Sequence, residues 1–519
     1  MKRNLPFILF LLVLVLPFVV QRFVRTSGQA ARVDGAIRLT IITPHNQDIR
    51  NEFSRVFDAW HRKKYSQPAD LTFLTPGGTG DIRRFLESTY GDRAKNNAVP
   101  DSFNIDIDLV WGGGDFFFDN EIKSFLAPVD LPSGTLESAF PSPDLAGVRL
   151  YDFAKGKPVR WVGVCISSFG IVYNPDVYQV LKLPPPGTWN DLARPELAGW
   201  VAMANPLSSS SAAVSYSMVL QRHMADQEDL LLPTRPDLKA LSGPDRMKNP
   251  EYKAAVAKGW RNGMGTLTLI AANARYFTDS GTQPPSDVAS GDAAAGMAID
   301  FYGRVYEETV GSHRLRYFEP PHATALNPDP IAILLGVRGE RYVHANRFIE
   351  FLLTPEAQQI WIKRPGVPGG PRSRALRRPP IRRDIYPPAT DPKLWTDPEL
   401  NPFTSAGDFN RRSEWDTLFT DTRLVWAAAW IDGREDLKAA HRAILALPDL
   451  ARRDTLLAEL ATFPMTMADV EQLQADRRAA TARKELNEWR AKRRVELAAA
   501  FRSHYRSLLA KARSPVSVR

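Results

Sequence analysis

Leu39-Thr40-Ile41-Ile42-Thr43-Pro44-His45-Asn46, Leu71-Thr72-Phe73-Leu74-Thr75-Pro76-Gly77-Gly78-Thr79 and Ile105-Asp106-Ile107-Asp108-Leu109-Val110-Trp111-Gly112-Gly113-Gly114 decide the fold. Each is a short apolar or alternating run that ends in a polar or glycine-rich turn, the pattern of a β-strand. Between the first two, Ile49, Phe53, Val56, Phe57 and Trp60 fall on one face of a helix. Thr79 reads as the N-cap of the next helix, with Ile82, Phe85 and Leu86 inward. The unit is βαβαβ. Its crossovers are right-handed, which brings the three turns to one edge of a parallel sheet. Ligands bind beyond the carboxyl ends of such strands, so the turns mark a pocket wall.

A chain of 519 residues, 44% hydrophobic and 24% charged, is long enough for two or three domains with real cores. Its single cysteine, Cys165, rules out an internal disulfide and any multi-cysteine metal site. It lies in the apolar run Trp161 to Ile166 and reads as a buried structural thiol. Lys2 and Arg3 precede an apolar run from Leu5 to Val20, with the small residues Gly28 and Ala30 beyond it. Residues 1–30 therefore read as a signal peptide or an uncleaved N-terminal anchor, which places the body outside the cytoplasm. The formal charge is +9, concentrated at Arg372–Arg383 and Arg477–Arg513, both read as solvated basic surface. No nucleic-acid-binding motif accompanies it, and no nucleic-acid partner is expected.

A second region begins near Ile166. It holds Gly170-Ile171-Val172-Tyr173-Asn174, the connector Pro186-Gly187-Thr188-Trp189-Asn190-Asp191-Leu192 and the strand Gly199–Ala204. Asn205-Pro206-Leu207 and the serine run Ser208-Ser209-Ser210-Ser211 follow, then a helix over Ala212–Gln221. Serines at a helix start either hold an anion, aided by the helix dipole, or merely cap the helix. Residues 233–248 read as a surface excursion. Val288-Ala289-Ser290-Gly291-Asp292 precedes a buried strand, Ala293–Ile299, that ends at Asp300-Phe301-Tyr302-Gly303-Arg304. Strands follow at 315–319 and 330–336, then a helix at 343–353 and another begun by Thr354-Pro355, within the run Phe348-Ile349-Glu350-Phe351-Leu352-Leu353-Thr354-Pro355-Glu356-Ala357-Gln358.

In this order, these motifs resemble the extracellular solute-binding proteins of bacterial ABC importers, in particular the periplasmic iron(III)-binding group with the type 2 periplasmic binding fold. The resemblance covers roughly residues 37–375. It implies an α/β protein of two lobes joined by a strand hinge, with a ligand in the cleft. The first lobe would comprise 37–165 and 305–380, the second 166–304. Residues 385–519 depart from the pattern. Their aromatics, Trp395, Phe403, Phe409, Trp415, Trp426 and Trp430, indicate an added, mainly helical module. The resemblance further implies a monomer that closes on a small-molecule or metal ligand and presents it to a membrane permease. An anchored sensory protein without a transport role is the alternative.

For iron(III) as the transported ligand, the resemblance implies His45, Asp81 and Tyr302 as ligands, with phenolate and carboxylate oxygens suiting a hard cation. Phe301 stands where the group often has a second tyrosine. For an organic or phosphate anion, the sub-sites are the amides of Gly77, Gly78 and Thr79, Gly113 with its glycine neighbours, and Ser208, Ser209 and Ser210. Arg304 adds a planar fork for carboxylate or phosphate. Asn46, Trp111 and Asp300 complete the candidate set. Each has a plain structural reading as well: His45 bonding a carbonyl, Asp81 serving its helix dipole, Trp111 packing, Asp300 capping and Arg304 bracing a hinge. No resident cofactor is indicated. No activated-nucleophile signature, Cys/His metal cluster or phosphate loop occurs, so the reading is a non-catalytic receptor.

Overall fold

The computed structural model describes residues 35–91, 93, 103, 105–386, 391, 393–405, 409 and 411–514. The leader expected over 1–30 lies outside them. Among the described residues no helix is long and apolar enough to cross a membrane.

The βαβαβ unit forms as its periodicity dictates. Strand β1 (Ile37–Ile42) leads to helix α1 (Gln47–Tyr65), β2 (Ala69–Leu74), helix α2 (Thr79–Tyr90) and β3 (Leu109–Trp111). Ile49, Phe53 and Phe57 are the buried face of α1. On α2 the inward residues are Ile82, Leu86 and Tyr90 at four-residue spacing, and Phe85 is exposed at the rim rather than inward. The N-cap of α2 is Gly78, one residue before the predicted Thr79.

Strand β4 (Val162–Ser167) and, through Ser168, β5 (Phe169–Tyr173) carry the chain from one sheet to another. Beyond them come β6 (Val201–Ala204), α3 (Ser210–Leu231), α4 (Pro250–Asn273), β7 (Ala274–Thr278), β8 (Ala295–Ile299) and α5 (Asp300–Val310). Then follow β9 (Arg316–Phe318), β10 (Asn327–Ile333) and α6 (Gly339–Leu352). One five-stranded sheet has the order β2-β1-β3-β10-β4, the other β9-β5-β8-β6-β7. Strands β2, β1 and β3 are mutually parallel, and β10 runs antiparallel to both β3 and β4. The order 2-1-3 puts a topological switch point between β1 and β3, where His45 and Gly113 emerge. This is the two-lobed type 2 architecture, with crossovers at Ser168 and between β9 and β10. Arg316–Phe318 pairs with β5, so it belongs to the second sheet, although the sequence reading grouped 305–380 with the first lobe. Tyr317 fixes that choice: it lies under the Arg304 guanidinium, 5.3 Å from the ring centre.

The excursion at 233–248 is short helical turns, Pro236–Lys239 and Gly243–Arg246. The C-terminal residues form α7 (Phe419–Trp426), α8 (Arg434–Leu445), α9 (Leu450–Leu460), α10 (Met467–Ala482) and α11 (Leu486–Arg513). They share one continuous core with the second lobe. Trp426 and Trp430 stack at 5.8 Å, Tyr216 of α3 meets Trp426 edge-on at 5.7 Å, and Trp260 of α4 meets Phe463 at 6.1 Å. Aromatic side chains of this size supply most of the apolar area such an interface removes from water. The module also reaches the first lobe. Phe419 packs on Phe116 at 4.4 Å, and Arg411 bonds Asp115 at 3.1 Å.

Candidate ligand-binding cleft

Between the two sheets lies a cavity of about 290 Å³. The first lobe contributes His45 after β1, Gly77, Gly78 and Thr79 after β2, and Gly113 after β3; the second contributes Ser209, Ser210 and Ser211, with Phe301 and Tyr302 at the start of α5. A further wall, Asp279-Ser280-Gly281-Thr282, escaped the sequence reading. It follows the carboxyl end of β7, the same signal that marked the other turns.

The helices α2 and α3 meet end to end across the cleft. Thr79 and Ser210 share a hydroxyl hydrogen bond of 2.6 Å, and the Ser210 N–H donates to Thr79 Oγ1 at 3.2 Å. The Gly80 N–H donates to the Ser208 carbonyl at 3.4 Å. Both helix dipoles present their positive ends to this region. Ser209 is the N-cap of α3 and accepts from the Ala212 N–H at 3.3 Å, so the serine run caps and lines at once.

The other predicted residues are distributed as follows. Asn46 caps α1, accepting from the Ile49 N–H at 3.1 Å, and does not line the cavity. Trp111 is fully buried beneath the wall, edge-on to His45 at 4.6 Å and to Phe53 at 5.3 Å. Asp81 lines the cavity but accepts from the Gly78 N–H at 3.0 Å and pairs with Arg84. Ser208 Oγ donates to Asp279 at 3.1 Å and faces a neighbouring cavity instead. Arg304 bonds Glu319 at 2.9 Å, at the crossover, away from the cavity lining. Asp300 is buried behind the wall. One carboxylate oxygen accepts from the Phe301 N–H at 2.8 Å, and the other has no hydrogen-bond partner among the described residues.

The charged centre of the cavity is a pair the sequence reading did not identify. Asp329 of β10 accepts from Arg378 Nη1 at 2.7 Å, from the Gly113 N–H at 3.0 Å and contacts His45 Nε2 at 2.7 Å. Arg378 Nη2 donates to Ser167 Oγ at 2.9 Å, and its guanidinium lies 4.3 Å from the centre of the Phe301 ring. Arg378 is 2% exposed and Arg382 7%, so these two leave the solvated surface expected of Arg372–Arg383, whereas Arg372, Arg374 and Arg383 are exposed as expected. Carboxylates and aromatic faces draw these guanidiniums inward. Burial pushes the Asp329 carboxyl up, but Arg378 and then His45 overcome it and hold it well below the usual carboxylate range. Burial likewise lowers the His45 pKa against the pull of Asp329, so the imidazole is neutral at pH 7. Because Asp329 only accepts, the tautomer that donates from Nε2 leaves the Nδ1 lone pair without a donor among the described residues. Burial pushes the Tyr302 phenol up to about 12 and raises the Cys165 thiol well above its ordinary value; neither is ionised near neutrality. Cys165 is buried, as expected of a structural thiol.

Burial, then the Glu319 charge, raises Asp300 from 3.8 to about 7. A raised carboxyl binds its proton in the folded state where the unfolded chain has released it. Stability is therefore lost as pH rises from about 4 to about 7, at up to roughly 1.4 kcal/mol per pH unit. Asp300→Asn keeps the acceptor for Phe301 and removes the titration. Thermal unfolding at pH 5 and pH 8 should show the variant gaining more on the wild type at pH 8 than at pH 5. An equal difference at both values would contradict this assignment.

Residues 156–364 match a family described as "Bacterial extracellular solute-binding protein". The matched segment, less than half of the chain, is similar to that family. It runs from β4 to the start of the C-terminal crossover and includes the second lobe, β10 and α6. Among curated relatives of this solute-binding segment is the phosphoglycerate transport regulatory protein PgtC of Salmonella typhimurium, 25% identical over 199 residues. That alignment takes in 38% of this chain and 40% of the relative, so the chain spans well under two thirds of the relative's length. Similar solved structures include the periplasmic binding protein AfuA of Actinobacillus pleuropneumoniae with fructose-6-phosphate bound, 18% identical, covering 62% of this chain and 81% of that one, TM-score 0.44. Another is iron-bound HitA of Pseudomonas aeruginosa, 15% identical, covering 71% and 92%, TM-score 0.43.

Proposed function

We propose that this chain is the extracytoplasmic receptor of an ABC importer and that it captures a small hydroxylated organic anion, of the phosphate-ester or carboxylate class, between its lobes. The permease of that importer would be its membrane partner. The carrying observation is the meeting of α2 and α3 over a cavity walled by hydroxyls. Thr79, Ser167, Ser209, Ser210, Ser211 and Tyr302 supply neutral donors and acceptors. The two helix N-termini favour negative charge, and Arg378 adds a fork to the same wall. The size suits a metabolite of few carbons. The name of the Salmonella relative points to the same class of compound.

Iron(III) fits less well. Tyr302 is the one phenol on the wall among the described residues, and reaching phenolate from a pKa of about 12 costs several kcal/mol at neutral pH. Asp81 is already engaged by Gly78 and Arg84. The free Nδ1 lone pair of His45, backed by Asp329, is what favours a metal. Native mass spectrometry of the chain purified without added ligand, with metal analysis, separates the two. A co-purifying phosphorylated or carboxylated mass, or titration heat with 3-phosphoglycerate that drops at least tenfold in affinity in Ser210→Ala, supports the organic anion. Stoichiometric iron that disappears in Tyr302→Phe overturns it.

A further inference from the structure

A second cavity, of about 410 Å³, lies where three parts of the chain converge. Arg83 and Arg84 come from α2 of the first lobe, Leu207 and Ser208 from the second, and Arg423, Arg477, Trp489, Arg490 and Arg494 from the C-terminal helices. Most of these cations are matched. Arg477 grips Asp421 through two bonds of 2.8 and 3.1 Å, and Arg494 grips Asp432 through two of 2.6 and 2.9 Å. Arg423 pairs with Glu121, Arg84 with Asp81, and Arg83 reaches Glu87 at 3.4 Å.

Arg490 is the exception: it has no carboxylate partner among the described residues. Burial lowers its pKa first and Arg83 lowers it further, while Glu87 raises it, Arg477 lowers it and Glu121 raises it, neither carboxylate forming an ion pair with it. A second kind of observation lies beside it. Arg83 Nε and Trp489 Nε1 are buried donors without an acceptor among the described residues, and both residues line the cavity. Leaving a buried donor unmet costs about 1–3 kcal/mol. Glu121 Oε2 is one unmet acceptor on the same wall, but one cation without an ion pair and two orphaned donors outnumber it and favour a compact acceptor of negative charge. Phosphate offers several strong acceptor oxygens and the charge to match.

We propose that this cavity is a second binding site, distinct from the interlobe cleft, for a phosphate-type dianion held by Arg490, Arg83 and Trp489. Its occupant touches the first lobe through α2 and the added module through α11, giving that module a ligand-binding role as well as a packing one. The arginines of 477–513 are thus partly internal, where composition suggested a solvated surface.

Equilibrium dialysis of the full chain against radiolabelled inorganic phosphate, in about 0.15 M chloride to screen surface charge, tests the site. Three variants accompany it: Arg490→Gln, Arg490→Lys and Ser211→Trp, the last filling the interlobe cavity. Saturable phosphate binding should survive Ser211→Trp, weaken at least tenfold in Arg490→Gln and fall less in Arg490→Lys. Phosphate should also raise the unfolding temperature of the wild type but not of Arg490→Gln, whose own unfolding temperature stays level because an unpaired cation has been removed. Absence of saturable binding in the wild type overturns the proposal. So does binding that persists in Arg490→Gln but is lost in Ser211→Trp, which would assign the phosphate to the cleft. The cleft reading fails separately, by native mass spectrometry.

Discussion

Replacing Arg378 with methionine should cost about 3–5 kcal/mol of stability, because it leaves Asp329 charged, buried and without its principal partner. Methionine keeps the length and much of the packing of the arginine stem, so the loss reports charge rather than a cavity. The Arg378 guanidinium bonds Asp329 at 2.7 Å and Ser167 at 2.9 Å and stacks beside Phe301 and Trp361 at 4.3 and 5.4 Å. Asp329→Asn alone leaves the opposite charge stranded and should also destabilise. The double variant, with both charges gone, should recover a large part of the loss, which is the signature of a coupled pair. The pH dependence has a definite sign. In the wild type the Asp329 pKa is depressed, so its contribution is present above the unfolded carboxylate pKa and is lost as pH falls toward the folded value. In Arg378→Met the depression disappears, and the gap between variant and wild type should narrow as the pH is lowered. Denaturant unfolding at pH 7 and at about pH 2.5, inside the window between the unfolded and folded Asp329 values, measures both. Additive losses in the double variant would show that the two side chains do not act as a pair.

That pair was invisible in sequence for a physical reason. Asp329 and Arg378 lie far apart in the chain and belong to no local period, and only the packing of β10 against the C-terminal crossover joins them. A clue was present. Asn327-Pro328-Asp329-Pro330 opens the apolar strand run Ile331–Leu335, and a carboxylate entering a buried strand needs a cation. Composition alone treated Arg372–Arg383 as a solvated run, since charge runs usually are. By contrast the βαβαβ unit was legible because hydrophobic period fixes strand, helix and handed crossover together. The turn after β2 and the serine run were legible as cleft residues because strand ends in parallel sheets point one way.

The added module shows the same division. Its helices could be read from spacing, with Phe501, Tyr505 and Leu508 on the buried face of α11. What they pack against could not, because the receiving surface is formed by α3 and α4, which are buried on more than one side over 212–221 and 263–273. A helix buried on more than one side signals that something else covers it, without saying what. The geometry shows that this module lies against the second lobe and touches the first at Phe116, Asp115 and Glu121. Opening the cleft must therefore rearrange or carry these contacts.

Gly78→Val should cut ligand affinity by about a hundredfold, some 2.7 kcal/mol, while leaving the unfolding temperature near that of the wild type. The backbone of Gly78, at φ −74° and ψ −178°, accepts a side chain without strain. The obstacle is on the other lobe. A Cβ at Gly78 would lie 2.6 Å from the Ser208 carbonyl oxygen, a backbone atom that cannot swing aside. Val adds branches to that clash, so relief comes from hinge opening rather than rotamer change. The bond between Thr79 and Ser210 then breaks, and the two helix N-termini separate. Gly78→Ala should fall between wild type and valine. Gly113→Val is a different experiment. Gly113 has φ +125°, and its Cβ would strike Thr79 and Phe117 at 2.7 and 2.8 Å inside its own lobe, so the wall itself is damaged. Small-angle scattering with titration calorimetry on Gly78→Val tests closure directly. A compact Gly78→Val chain of unchanged radius and affinity would mean that the contact of α2 with the serine turn does not govern closure of the cleft.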